Sequence, residues 1–346
     1  VYRIPMLARG QGWFWLVLNY TSFVLSGLLF APWVLRGRKF DVIFVYAPSP
    51  VLQAIPAIFL GWIMGVPVAL WVQDLWPASL SATGYVKNKF MLRLVEYVVR
   101  FIYRHVDLIL VQSEAFIEPV RKMAPNAPIE YYPNSVDRRF SLSDEGFGSE
   151  LDDRVDVFSV VFAGNIGTAQ SVEVIIEAAV LLKTYSDIQF LVFGDGSRRD
   201  WMMHEVNSRR LSNLRLPGRL PVEDMPGIMR KASALLVTLG SHEALDAAVP
   251  NKIQAYMATG RPILACMNGE GARLVIQAGA GVTAPAEDSK KLAAAVLKLY
   301  KMPLKERRNL GHNGKVYYEK HFKHDNLMDD LIDHLTVLWK SKKDSS

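Results

Sequence analysis

Residues 159–193 read SVVFAGNIGTAQSVEVIIEAAVLLKTYSDIQFLVF, and this stretch decides the fold that we expect. An apolar run at 159–162 ends in a glycine-bearing loop, a segment of helical length covers 171–185, and a second apolar run follows at 189–193. Short apolar runs that alternate with helix-length segments are typical of β-α-β units in a parallel sheet. We therefore predict a doubly wound α/β sheet in this part of the chain.

The same alternation extends outward from this stretch in both directions. Towards the carboxyl end it predicts helix 201–211, strand 234–239, helix 251–259 and strand 262–265. Towards the amino end it predicts strands 41–47, 66–72 and 108–112, separated by helices 51–64 and 87–104. We therefore predict two Rossmann-like domains, each with alternating strands and helices.

Length supports two domains, because 346 residues, half of them hydrophobic, exceed the usual size of one. Residues 141–156 are polar, acidic and glycine-bearing, so we interpret them as a linker between a first domain, 1–140, and a second, 157–346. A final helix of the second domain packing back on the first is one arrangement that we consider.

Charge and cysteine content restrict the class of protein. The 40 Lys and Arg against 34 Asp and Glu favour anionic partners such as phosphates or anionic lipid, but the excess of +6 is too small to indicate nucleic acid. A single cysteine, Cys266, excludes an internal disulfide framework and fits a reducing compartment, so we expect a cytoplasmic protein. Because a strand-like run follows Val1 without a charged-then-apolar leader, we expect no secretory signal.

Two apolar stretches, 13–35 and 51–72, are interrupted by polar residues, proline or glycine. We expect buried helix and strand there rather than membrane spans. Further along, Arg93, Arg100 and Arg104 share one side of a predicted helix, which indicates either a solvated basic face or peripheral contact with an anionic membrane.

Two glycine loops are candidate anion sites, FAGNIG at 162–167 and FGDG at 193–196. A strand, a glycine loop and a helix N-terminus present free N–H groups to a phosphate, although glycine also serves ordinary tight turns. In an open α/β sheet both loops meet at the carboxyl edge of the strands. Neither loop matches the dinucleotide-binding or P-loop pattern.

Lys252 lies in the first turn of the predicted helix 251–259. The helix dipole disfavours a cation there unless an anion binds beside it, so Lys252 is either a phosphate ligand or a solvated lysine. Asp74 follows strand 66–72 at the edge where ligands bind. It is either a catalytic carboxylate or an N-cap for the helix after Pro77.

These residues belong to a wider set of motifs. In order they are WVQDLWPAS at 71–79, FAGNIG, FGDG, the G-R-L-P and D-M-P of 218–226, PNKIQAYMATGRPI at 250–263 and GEGARLV at 269–275. Their order and spacing resemble glycosyltransferase family four, the retaining enzymes of GT-B fold, and in particular a bacterial O-antigen and capsule branch that includes N-acetyl-fucosamine transferases.

The resemblance implies two Rossmann-like parallel-sheet domains facing a cleft, and transfer of a sugar, such as an N-acetylated amino sugar, from a UDP-sugar to a lipid-linked saccharide. The pathway implied is lipopolysaccharide, O-antigen, capsule or exopolysaccharide synthesis, peripheral at the inner face of the plasma membrane. It implies no cofactor and no metal. The expected catalytic residues are Asp74 and Lys252. The residues expected to bind the donor nucleotide are Gly164, Asn165, Gly167, Gln170, Gly194, Asp195, Arg219, Leu220, Asn251, Lys252 and Gln254, and those expected at the donor sugar are Glu270 and Gly271.

Two departures from the family pattern keep other functions open. Ala247 and Ala255 stand where many members carry a glutamate pair, and the first strand-helix-strand unit of the relatives seems absent before Val1. A nucleotide-sugar epimerase of the same fold and a non-catalytic, membrane-associated nucleotide-binding module are therefore the alternatives.

Overall fold

A computed structural model describes residues 1–8, 10, 13–82, 88–140 and 157–344. The chain divides into two compact units, one formed by 1–133 together with 328–346 and the other by 134–327. Each unit is built on its own parallel sheet.

The first unit contains four parallel strands in the order β1-β2-β3-β4. They are β1 (Ile43–Ala47), β2 (Val68–Val72), β3 (Leu108–Val111) and β4 (Ile129–Tyr131). The first three confirm the predicted strands. The fourth was not predicted, because it has three residues of which only Ile129 is buried, and so small a strand leaves no hydrophobic pattern.

Among the described residues before 134, five α-helices accompany this sheet. They are α1 (Trp13–Val34), α2 (Ala54–Met64), α3 (Ala78–Ala82), α4 (Lys89–Arg104) and α5 (Ile117–Met123). Helix α4 begins at an N-cap, since Asn88 Oδ1 accepts hydrogen bonds from the amides of Phe90 at 2.8 Å and Met91 at 3.4 Å.

Helix α1 corrects one expectation. Residues 13–35 were expected to be buried, but only 17% of an 18-residue window within Phe14–Val34 is buried, and this helix is long and apolar enough to cross a membrane by length and composition. The prediction is wrong because an apolar composition does not reveal whether protein covers both sides of a helix. The expectation holds for 51–72, where α2 and β2 lie in the core.

The second unit contains six parallel strands in the order β10-β9-β8-β5-β6-β7. They are β5 (Phe158–Ala163), β6 (Ile188–Phe193), β7 (Leu214–Gly218), β8 (Ala234–Thr238), β9 (Ile263–Cys266) and β10 (Gly281–Ala284). The order reverses between β5 and β8, as in a doubly wound sheet. Strands β7 and β10 were not predicted, because Pro217 and Gly281 weaken the strand pattern.

Helices cover both faces of this sheet. They are α6 (Glu173–Leu181), α7 (Arg199–Ser208), α8 (Met225–Lys231), α9 (Glu243–Asp246), α10 (Asn251–Thr259), α11 (Gly269–Gln277), α12 (Ser289–Lys301) and α13 (Leu304–His321). All six side chains of β5 are buried, with Val160 and Phe162 in one hydrophobic cluster and Val161 and Ala163 in the other. Strand β5 is therefore the centre of the unit.

Helix α14 (His324–Asp344) mostly belongs to the first unit. Lys342 Nζ lies 3.0 Å from Asp107 Oδ1, and the rings of His334 and Tyr132 are 6.4 Å apart. Residues 134–140, by contrast, cluster with the second unit, although the sequence placed them in the first. The predicted linker, 141–156, lies outside the described residues.

Candidate functional site

The two glycine loops of the second unit contact each other through their backbones. Gly164 N donates to Phe193 O at 2.9 Å, and Ile166 N donates to Asp195 O at 2.8 Å. Gly164 and Gly194 have φ of +136° and +137°, and a Cβ on Gly194 would collide with the carbonyl oxygen of Gly164. Glycine is thus required here for backbone conformation and for close approach.

A cavity of about 360 Å³ opens beside these loops. Its lining includes six of the residues predicted to bind the nucleotide: Gly164, Asn165, Gly194, Asp195, Arg219 and Leu220. Apolar side chains complete the wall, namely Phe140, Phe193, Met225 and Met229. A pocket with apolar walls and a few polar groups suits a ring system with a polar attachment.

Gln170 and Gly167 stabilise the first loop from within. Gln170 Oε1 accepts hydrogen bonds from Gly167 N at 3.2 Å and from Asn165 Nδ2 at 3.1 Å. The amide oxygen of Gln170 is therefore occupied by the loop itself, and it holds Asn165 at the rim of the cavity.

Lys252 lies at the second position of α10 and reaches the first loop. Its Nζ is 3.7 Å from the centroid of the Phe162 ring, and a Cβ on Gly164 would lie 2.6 Å from Lys252 Cε. Nζ is shielded from solvent and has no hydrogen-bond partner in the described part of the chain. Desolvation lowers the pKa of Lys252 to about 7. These contacts differ from those of a solvated lysine.

The other polar residues of α10 are placed differently. Asn251 Oδ1 accepts a hydrogen bond from Asn134 Nδ2 at 2.6 Å, and the N-cap position is held by Pro250 rather than Asn251. Gln254 is fully buried, and neither of its amide atoms has a partner among the described residues. Neither side chain lines the cavity.

The predicted sugar-binding residues begin α11. Glu270 is paired with Arg273, whose Nη2 lies 2.5 Å from Glu270 Oε2. Gly271 is buried, and a Cβ there would collide with Met267 Cε. Gly269 has φ of +67° and would, with a Cβ, collide with the backbone of Asp246 in α9. Close packing against the Asp246 backbone thus accounts for Gly269, whereas the neighbour of Gly271 is the flexible end of a side chain. Neither Glu270 nor Gly271 lines the cavity.

In the first unit, Asp74 follows β2 at the carboxyl edge of the sheet. Its carboxylate accepts no hydrogen bond in the described part of the chain, and Ser79 N, in the first turn of α3, donates to Leu75 O instead. Asp74 is therefore not acting as an N-cap. Desolvation raises the pKa of Asp74 to about 6.

Three buried polar side chains surround this edge, and the sequence did not single them out. Gln112 Nε2 lies 3.4 Å from Gln73 O, while Gln73 Nε2, Gln112 Oε1 and the Tyr103 hydroxyl have no partner among the described residues. Desolvation and the charge of Asp74 raise the pKa of Tyr103. The sequence did offer a signal for Gln73 and Gln112, since each is a polar residue directly after the apolar residues of a predicted strand.

The described residues contain no group of three or more His, Cys, Asp or Glu arranged to hold a metal ion.

Comparison with known proteins matches each unit to a family. Residues 1–135 match the family described as "Glycosyl transferase 4-like domain", and residues 157–302 match "Glycosyl transferases group 1". A curated relative, the "Probable glycosyltransferase WbjE" of Pseudomonas aeruginosa, is 27% identical over 285 residues, which cover 78% of this chain and 68% of the relative.

Solved structures share the fold at low sequence identity. Anabaena Alr3699/HepE in complex with UDP has a TM-score of 0.73 at 14% identity, covering 89% of this chain and 81% of its own. The sucrose-phosphate synthase of Thermosynechococcus elongatus has a TM-score of 0.74 at 16% identity, covering 92% and 78%. These similarities concern the architecture of both units.

Proposed function

Because the chain is a glycosyltransferase of GT-B fold, we propose that it transfers a sugar, with retention of anomeric configuration, from a UDP-sugar to a lipid-linked saccharide. We assign the donor to the second unit and the acceptor to the first. The donor sugar we favour is an N-acetylated amino sugar, and the pathway is synthesis of O-antigen, capsule or a related polysaccharide.

One observation carries the assignment of the donor. The Nζ of Lys252 is withdrawn from solvent without a hydrogen-bond partner, and the side chain packs beneath Gly164 at the end of β5. An unpaired ammonium in such surroundings is unfavourable, and an arriving diphosphate would supply its missing partner. UDP is present in the complex of Alr3699/HepE, which supports a nucleoside diphosphate as the ligand.

The chemistry follows from these charges. Cleavage of the bond between sugar and phosphate leaves negative charge on the diphosphate. Lys252 and the amide groups of the glycine loops supply positive charge and hydrogen bonds at that position, so the leaving group is stabilised without a divalent cation. The uracil and ribose we assign to the apolar part of the cavity, where Phe140, Met225 and Met229 form a wall.

On the acceptor side we assign the orienting role to Asp74. Its carboxylate is partly buried and accepts no hydrogen bond from the described residues, so it is available to a sugar hydroxyl. We further propose contact of the basic helix α4 with an anionic membrane, since the acceptor is carried by a lipid.

The test is a product analysis with a panel of UDP-sugars, in the presence and absence of a lipid-linked saccharide. We expect UDP release only when the acceptor is present, together with an elongated lipid-linked product whose new linkage keeps the anomeric configuration of the donor. An altered UDP-sugar formed without acceptor would instead identify an epimerase. UDP binding without turnover of any pair would identify a non-catalytic module.

A further inference from the structure

A second cavity of the second unit opens at the amino edge of its sheet. It has a volume of about 140 Å³ and is lined by residues 231–233 and 260–262, which precede β8 and β9, together with residues at the start of α13. A strand such as β8 spans five residues, or roughly 16 Å, so this amino-edge cavity lies across the sheet from the glycine loops. None of its described lining residues also lines the donor cavity.

The wall of the amino-edge cavity is strongly basic. No Asp or Glu of the described residues lines it, and the lining cations are Lys231, Arg261, Arg307 and Arg308. Like charges within one cavity repel each other unless an anion binds among them. The composition of the wall therefore predicts an anionic ligand.

The ends of helices account for two of these cations but not for the other two. Lys231 ends α8 and Arg261 follows the C-cap of α10, and the helix dipole favours a cation at both positions. Arg307, by contrast, completes the first turn of α13 and Arg308 follows it, so both lie near the end where the dipole disfavours a cation. Leu304, the first residue of α13, is also part of the wall. The positive end of this helix thus adds to the attraction for an anion.

The guanidinium of Arg307 is partly withdrawn from solvent. Its Cζ lies 5.1 Å from the centroid of the Phe158 ring, at the start of β5. Its Nε is shielded from solvent and has no hydrogen-bond partner in the described part of the chain. Desolvation lowers the pKa of Arg307. An oxyanion in the cavity would supply both a counter-charge and the missing hydrogen-bond acceptor.

The size of the cavity and its donors indicate which anion fits. A water molecule takes up ~30 Å³ in the liquid, so a cavity of about 140 Å³ holds a group of roughly four or five atoms of that size. A tetrahedral phosphate group is of this size, whereas a nucleotide is much larger. Arginine, which supplies three of the four lining cations, donates two parallel hydrogen bonds to phosphate oxygens.

We propose that the amino-edge cavity binds a tetrahedral phosphate group, presented by inorganic phosphate or by a small phosphomonoester, chiefly through Arg307 and Arg308. The site is separate from the donor site, because the two cavities lie on opposite edges of the sheet. The inference does not rest on the proposed function, and phosphate binding is measured without donor or acceptor.

The experiment is a phosphorus NMR titration of the full chain with inorganic phosphate, and separately with glycerol 3-phosphate, at constant ionic strength in chloride. We expect one saturable site, and the tighter of the two probes identifies the source of the phosphate group. Arg307→Met and Arg308→Met should each weaken binding by about tenfold, since each removes a charge-assisted contact. Lys305→Met is the matched control, because Lys305 is an exposed cation of the same turn that does not line the cavity, and it should leave binding unchanged.

Two further variants separate a phosphate ligand from a structural role and from the donor site. Arg308 is exposed, so Arg308→Met should fold, and in phosphate-free buffer it should melt no lower than wild type because a like charge is removed. Lys252→Met should retain phosphate binding. Binding lost only in Lys252→Met, binding unchanged in both arginine variants, an equal loss in Lys305→Met, or no saturable binding of either probe would overturn the proposal.

Discussion

At the residue scale, we expect donor binding to depend most directly on the side chain of Lys252. We expect Lys252→Met to weaken UDP binding by about 1.5 to 3 kcal/mol, since a charge-assisted contact is lost, and to affect uridine far less. Isothermal calorimetry measures both. Lys290→Met is the matched control, because Lys290 is the exposed second residue of α12 just as Lys252 is the second residue of α10. Unchanged UDP affinity in Lys252→Met would remove this lysine from the site.

The lowered pKa of Lys252 also predicts a proton linkage. With a pKa of about 7, much of the free protein carries neutral Lys252 at pH 8, whereas a bound diphosphate favours the charged form. UDP binding at pH 8 should therefore take up protons, and affinity should fall as the pH rises above about 7. Calorimetry in buffers of different ionisation enthalpy measures the uptake. Lys252→Met should abolish it, and an unchanged uptake would assign the proton to another group.

Desolvation of Asp74 also gives a pH-dependent prediction, in this case about stability. Burial raises its pKa to about 6, so the charged form destabilises the folded state. This penalty is complete above pH 6 and disappears as the pH falls below the unfolded value near 3.8. Asp74→Asn should therefore match or exceed the wild-type stability at pH 7, by up to about 3 kcal/mol. It should nevertheless lose transfer by about a hundredfold while binding UDP normally.

Urea unfolding and steady-state kinetics check this pair of effects. A less stable Asp74→Asn protein with normal turnover would show a structural role instead.

The positions of Lys252 and Asp74 could be predicted because each lies at the end of an element that the sequence pattern reveals. Lys252 lies in the first turn of a helix, and Asp74 follows a strand. The contact of Lys252 with the Phe162 ring could not be predicted, because it joins residues 90 positions apart through the packing of α10 on the sheet. For the same reason Tyr103, within a predicted amphipathic helix, gave no sign that its hydroxyl lies near Asp74.

At the level of elements, the contact between the two glycine loops is the feature most open to test. Gly194→Ala should destabilise the protein by roughly 3 kcal/mol or more and impair UDP binding, since its Cβ would collide with backbone that cannot yield. Gly65→Ala is the control for backbone strain alone. Gly65 also has a positive φ, +66°, but a Cβ there meets nothing within 4 Å, so its cost should be about 1 kcal/mol.

Equal destabilisation by the two substitutions would show that conformation, and not the contact between loops, is what requires glycine at 194. Urea unfolding of both variants decides this.

Elements with a strong hydrophobic period were predictable, and weakly patterned ones were not. Strands β1, β2, β5 and β8 are mostly apolar, and every side chain of β5 and β8 is buried. Helix α1 shows the limit of the method, because the same apolar composition suits a fully buried helix and a partly exposed one. Only its packing, with Gly27 against α2 and much of the helix exposed, distinguishes the two.

At the scale of the whole molecule, the proposed stabilisation of the leaving group by Lys252 and backbone amides leads to a prediction about turnover. Transfer should be insensitive to EDTA, since Lys252 and amide groups supply the positive charge that a divalent cation would otherwise provide. Initial rates with and without chelator, before and after adding magnesium or manganese, are the measurement. Activity that is lost with EDTA and restored by metal would contradict this.

The division into two units was predictable from length and from the two series of strands. A final helix packing back on the first domain was one arrangement considered, but nothing in the sequence required it. Helix α14 follows the second unit in sequence, yet residues 328–346 cluster with the first. Its apolar residues indicate that one face is buried, but they do not specify which unit buries it.

This return of α14 has a consequence for biosynthesis. A ribosome makes the strands of the first unit early, but the helix whose Lys342 pairs with Asp107 emerges only after the entire second unit has been translated. At about 5–20 residues per second, the nascent first unit waits on the order of ten seconds or more for that helix. During this interval the region around β3 and β4 lacks its covering helix, so chains stalled before residue 324 should be more sensitive to protease there than completed chains.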